Sequence, residues 1–144
     1  MSRGRRGNAG RSGAVDRSLL WRAVAVTYLL CLWAASLWPA DQLSELNLRP
    51  FPDTVEHGIA YFLGVLLVSG AFRFLPLLAV GVGLAAMGAL IEGAQAFTAT
   101  RQFSTEDMVA NGLGAGAGIL TVAMWRALAE RAWGGSRPGG AGRS

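Results

Sequence analysis

Four long apolar blocks, broken by few polar positions, organise the chain. The first runs from about Leu19 to Ala40, with Arg22 its only charge. The second runs from about Val55 to Phe72, the third from Leu75 to Phe97, and the fourth from about Met108 to Ala127. Each approaches the roughly 20 residues that an α-helix needs to cross ~30 Å of hydrocarbon. Backbone groups find no water there, so helices are the expected solution. The pattern predicts an all-α integral membrane protein, a four-transmembrane-helix bundle over residues 17–132. Residues 1–16 and 133–144 are rich in Gly, Ser and Arg without hydrophobic period and are predicted to be disordered tails. The first block has the basic flank of a signal peptide. Its apolar stretch exceeds the usual h-region and three more spans follow, so it is read as a retained helix.

Charge adds an orientation. All 13 basic residues are arginine, against nine acidic residues. Arginines from Arg3 to Arg22 precede or open the first helix, Arg73 sits in the turn between the second and third, and those from Arg126 to Arg143 follow the fourth. Only Arg49 and Arg101 fall in the other two loops. This bias predicts both termini in the cytoplasm, with loops 41–54 and 98–106 outside. Trp21, Trp125 and Trp133 at the inner interface and Trp38 at the outer one agree. Composition is consistent: 52% hydrophobic and 15% charged residues, against roughly 25% charged in soluble domains, exclude an ordinary soluble fold. No nucleic-acid partner is expected, because the arginines lie mostly in the tails rather than on a folded face.

Small residues suggest how the helices pack. Gly112, Gly114, Gly116 and Gly118 on the fourth helix, with Gly81, Gly83, Ala85 and Gly88 on the third, predict that these two form a tight pair. The lone Cys31 has no disulfide or metal partner and reads as a small buried residue.

A four-helix bundle needs no ionisable groups inside the bilayer, yet this chain has several. Asp53 and His57 are spaced i, i+4 at the start of the second helix. Glu92 and Gln95 are spaced i, i+3 near the end of the third, and Asp107 and Asn111 i, i+4 at the start of the fourth. Each pair occupies one helix face. Alternating helix direction brings all three pairs to one depth, just below the extracytoplasmic surface, with Arg101 above them as a counter-charge. Plain structural roles compete. Asp53 could cap the second helix, His57 could reach to the interface, Ser104 and Asp107 look like a capping box, and Asn111 could join helices. Glu92 is hardest to explain structurally, since an unpartnered carboxylate inside a bilayer costs about 2–3 kcal/mol.

The strings DTVEHGIAYFLG (53–64), IEGAQAF (91–97) and RQFSTEDMVANGLGAGAG (101–118) resemble the signature blocks of the VanZ-like family. Asp53, His57, Glu92, Gln95, Arg101, Ser104, Asp107, Asn111 and Gly114 match its pattern. Thr54 stands where the family often has lysine, so any anion-binding role of that lysine does not carry over. The resemblance implies a multi-pass protein of the bacterial cytoplasmic membrane, part of the cell envelope and associated with resistance to glycopeptides such as teicoplanin. Its implied partners are the lipid bilayer and a lipid-linked cell-wall precursor or a glycopeptide. Asp53, His57, Glu92, Gln95, Arg101, Asp107 and Asn111 are the candidate ligand-binding residues.

Two functions compete. One is a non-enzymatic protein that binds the polar head of a drug or lipid at the outer site. The other is an intramembrane enzyme acting on a lipid-linked or wall substrate, with Glu92 and Asp107 as an acid–base pair, His57 tuning them and Arg101 holding a phosphate. A translocator is less well matched, because the chain has no inverted repeat or broken helix. His57, Glu92 and Asp107 could supply three metal ligands, but they are scattered over three helices with no tight motif. Neither a metal nor another cofactor is expected. Gly112–Gly118 resembles a phosphate loop only superficially and reads as helix packing.

Overall fold

The computed structural model describes residues 16–38, 51–95, 97 and 104–134. These form four helices: α1 (Arg17–Leu37), α2 (Asp53–Ala71), α3 (Leu77–Gln95) and α4 (Thr105–Gly134). Each is long and apolar enough to cross a membrane, the architecture of a multi-pass membrane protein, and no strand occurs among the described residues.

The helix limits have local causes. Asp16, expected in the tail, caps α1 by accepting the Ser18 N–H at 2.9 Å. That bond holds its exposed carboxyl below the usual carboxylate range. α1 stops at Leu37 rather than Ala40, because Trp38 is extended (ψ 142°), as a residue before proline must be. α3 begins after Pro76, whose carbonyl accepts from the Val80 N–H at 3.1 Å. α4 starts earlier than Met108 because Ser104 caps it. It continues past Ala127 through Leu128, Ala129, Glu130, Arg131 and Ala132, most of them strong helix formers, and Arg131 faces the negative end of the dipole. Its 30 residues span ~45 Å, more than the ~30 Å of hydrocarbon. Trp133 and Gly134 are therefore helical, whereas the rest of both expected tails lies outside the described residues.

At one end the bundle is polar inside and apolar outside. Leu90 and Leu113 are 75% and 71% exposed, while Glu92, Gln95 and Asn111 are 0%, 2% and 2% exposed. A soluble protein would reverse that distribution. Below the polar residues the core is built from Tyr61, Val65, Val68, Val80, Leu84 and Ala115.

The most extensive helix contact is between α2 and α4, not between α3 and α4 as the glycine pattern suggested. The reason is which glycines meet backbone. A Cβ on Gly114 would overlap the Gly58 carbonyl oxygen, and one on Gly118 would stand 2.7 Å from Val65 Cβ. Gly112 and Gly116 have nothing within 4 Å. α3 still packs closely on α4, with Gly81 beneath the Ile119 side chain. α1 leans on α2 through the Tyr28 hydroxyl, which donates to the Ala60 carbonyl at 2.8 Å. Cys31, expected to be buried, lies on the exposed face of α1.

Candidate functional site: a polar cluster between three helix ends

The Pro52 carbonyl starts α2 by accepting N–H groups from Val55 (2.9 Å) and Glu56 (3.1 Å). Pro52 provides no side-chain cap, and Asp53 is the first helical residue rather than the capping one. Its carboxylate is thus aimed along the helix at His57, whose Nε2 is 3.8 Å from Asp53 Oδ1. The other ring nitrogen of His57, Nδ1, is 3.1 Å from Asn111 Oδ1 on α4. Thr54 Oγ1 donates to Asp107 Oδ1 at 3.1 Å. Two side-chain hydrogen bonds therefore join α2 to α4 at this end. The close approach of Gly114 to Gly58 lies immediately below them, and it brings the backbones near enough for such short side chains to meet.

Only half of the expected capping box forms at the start of α4. The Asp107 N–H donates to Ser104 Oγ at 3.1 Å. The reciprocal acceptor is Glu92 of α3, whose Oε2 takes the Ser104 N–H at 3.2 Å. With Glu92 in that role, the Asp107 carboxylate turns to Thr54 instead. Glu92 is fully buried, and its Oε1 has no hydrogen-bond partner among the described residues. A buried carboxylate oxygen without a donor is costly and calls for an explanation.

Other expected members fare differently. Gln95 is buried, but its Nε2 donates to the Ser36 carbonyl of α1, so it ties α3 to α1. Arg101 lies outside the described residues. Asn111 Nδ2 has no partner among them and rests against Gly88, where an added Cβ would stand 2.8 Å from it and 2.9 Å from Tyr61 Oη. Tyr61 is a buried neighbour that sequence reasoning did not select. The signal available was the i, i+4, i+8 stripe Asp53–His57–Tyr61 on one face of α2.

Asp53, His57 and Asp107 each offer one metal-ligating atom, and these atoms lie within 4.8 Å of one another. The set differs from the His57, Glu92 and Asp107 considered from sequence, with Asp53 in place of Glu92. Beside the cluster an open groove of about 420 Å³ is lined by Thr54, Thr105, Glu106, Val109, Ala110 and Leu113. Thr54 belongs to both, so the groove adjoins the polar cluster directly. Chemically, the cluster is rich in acceptors. It can take hydroxyl, amide or ammonium donors, move a proton between carboxylates, or hold a cation.

No family model, curated protein or solved structure matches the chain.

Proposed function

We propose that this is a VanZ-like membrane protein of the bacterial cytoplasmic membrane. In this reading both termini are cytoplasmic and the polar cluster faces the extracytoplasmic side. More particularly, we propose that the cluster binds the donor-rich polar head of a lipid-linked cell-wall precursor or of a lipoglycopeptide such as teicoplanin, with the lipid chain in the adjoining groove. The arginine bias supports the orientation, as does a cleft at the opposite end of α2 and α4 flanked by Arg73, Arg126 and Trp125. Convergence of the motif residues Asp53, His57, Glu92, Asp107 and Asn111 on one end supports a common site.

The observation that carries the reading is the wholly buried Glu92, one of whose oxygens has no hydrogen-bond partner among the described residues. Its Oε2 supports the start of α4, a role a neutral glutamine could also fill, whereas a buried carboxylate carries an added desolvation cost. A ligand donor reaching Oε1 would complete its bonding.

The test is titration of the full chain in lipid nanodiscs with a lipid-linked precursor and, separately, with teicoplanin. Saturable binding of either, weakened at least tenfold in a normally folded Asp107→Asn variant, is the expected result. No binding of either overturns the reading. The enzymatic alternative draws on one specific feature: the Glu92 carboxylate accepts the Ser104 N–H while the Asp107 backbone N–H donates to Ser104 Oγ, so residues carrying two carboxylates share one neighbour, as an acid–base pair would need. Chemical change of the precursor during incubation would favour it, and recovery of intact precursor would favour binding.

A further inference from the structure

We infer that Asp53, His57 and Asp107 form a binding site for a divalent first-row transition-metal ion. The inference rests on reading this cluster as a working site, and it names a ligand that the proposed function does not include.

Electrostatics comes first. Two carboxylates and an imidazole present atoms within 4.8 Å of one another, with His57 and Asp107 buried. Two like charges at that separation repel each other. Thr54 gives Asp107 only a neutral donor. Each carboxylate comes from a different helix, so the fold itself brings the two acidic groups together. A cation at the centre turns that repulsion into attraction.

The arrangement around His57 specifies the kind of cation. Asn111 Oδ1 sits 3.1 Å from Nδ1, and an amide oxygen can only accept, so Nδ1 carries the hydrogen. That leaves Nε2 as the nitrogen turned away from Asn111, and it faces Asp53 Oδ1 at 3.8 Å. That separation is too long for a hydrogen bond. This is how outer-shell partners orient histidine ligands: the far nitrogen donates to a fixed oxygen, and the near nitrogen is presented to the metal. Ligand atoms ~2.1 Å from a common ion stand roughly 3–3.5 Å apart, so rotations of about an ångström close the set. One imidazole and two carboxylates suit zinc, manganese or cobalt. Calcium prefers six to eight oxygens, and magnesium a nearly complete octahedral oxygen shell.

Three protein ligands leave at least one coordination position open. The half-exposed Asp53 carboxylate lies on the open side of the site. An ion held there can take an oxygen donor from outside the protein.

The experiment uses the purified full chain in detergent, stripped with a chelator and titrated with Co²⁺ in the absence of lipid or drug. One ion should bind per chain, giving the visible d–d absorption of a nitrogen- and oxygen-coordinated site. Asp53→Asn, His57→Gln and Asp107→Asn should each weaken binding at least tenfold, and Asn111→Ala should weaken it 10–100-fold by releasing the ring. Asp16→Asn, at the exposed start of α1, should leave it unchanged. A second measurement does not depend on variants folding: ¹⁵N NMR of His57 should show zinc displacing the Nε2 resonance while Nδ1 keeps its proton. Absence of Co²⁺ binding, equal affinity in His57→Gln, or a proton on Nε2 that survives zinc would overturn the inference. A protein that binds Co²⁺ but neither precursor nor teicoplanin would instead refute the proposed function and leave the metal site standing.

Discussion

Gly114→Ala adds one methyl group where α4 presses on α2. The new carbon would overlap the Gly58 carbonyl oxygen, a backbone atom that cannot rotate aside. The helices must part by on the order of 1 Å to restore ordinary van der Waals contact. His57–Asn111 and Thr54–Asp107, both at 3.1 Å, would then stretch beyond the ~3.2 Å hydrogen-bond range. Overpacking costs roughly 1–3 kcal/mol, and the two bonds contribute about 0.6 kcal/mol each in a membrane. Alanine returns about 0.5–1 kcal/mol through its helix preference. The net loss is about 2 kcal/mol. Gly112→Ala is the matched control: the same helix, but nothing within 4 Å of the new methyl, so it should be neutral or slightly stabilising. Reversible unfolding in mixed detergent micelles measures both. A Gly114→Ala protein as stable as Gly112→Ala would refute the claim that α2 and α4 meet backbone to backbone at this point.

Further expectations concern the site's supports and the topology. Gly88→Ala pushes on Asn111 Nδ2 and Tyr61 Oη, so it should weaken ligand binding at the cluster more than it lowers the melting temperature; the reverse ranking would exclude a positioning role for Gly88. Ser104→Ala removes the hydroxyl cap of α4 and should cost about 0.5–2 kcal/mol in the same unfolding assay, whereas Ser104→Thr should restore most of it. In a Cys31→Ser background, a membrane-impermeant thiol reagent should reach Gln42→Cys and Thr98→Cys from outside the cell but not Gly10→Cys or Gly139→Cys. Labelling at position 10 or 139 would reverse the proposed orientation.

The periodicity of apolar residues revealed the four helices, because a span must be long and almost uncharged to cross hydrocarbon. It could not reveal where α4 ends, since Leu128 to Ala132 continue the helix by backbone preference after the apolar run has finished. The pairing of α2 with α4 was hidden in Gly58: the glycines of α2, Gly58, Gly64 and Gly70, are six residues apart and form no small-xxx-small stripe, yet the Gly58 carbonyl is what Gly114 meets. Within the site, i, i+4 spacing put Asp53 with His57 and Asp107 with Asn111, and alternating helix direction put the two pairs at one end, where His57 Nδ1 is 3.1 Å from Asn111 Oδ1. The partition of their bonds was not legible. Nothing in the sequence says that Glu92 rather than Asp107 would take the Ser104 N–H, or that Gln95 would choose a backbone carbonyl on α1. Such choices depend on side-chain reach across helices, which spacing along one helix does not encode.

The central claim is that the buried polar cluster exists to meet a ligand rather than to hold the bundle together. Glu92→Gln tests it most directly. Glutamine keeps the shape and can still accept from the Ser104 N–H, but it removes the charge and replaces one acceptor with a donor. The measurement is binding of the lipid-linked precursor and of teicoplanin to Glu92→Gln protein, made beside its melting temperature. The account predicts a melting temperature equal to or above wild type, because a neutral amide is less costly to bury than a carboxylate, together with at least a tenfold loss of binding. Wild-type binding in a stable Glu92→Gln protein would contradict it.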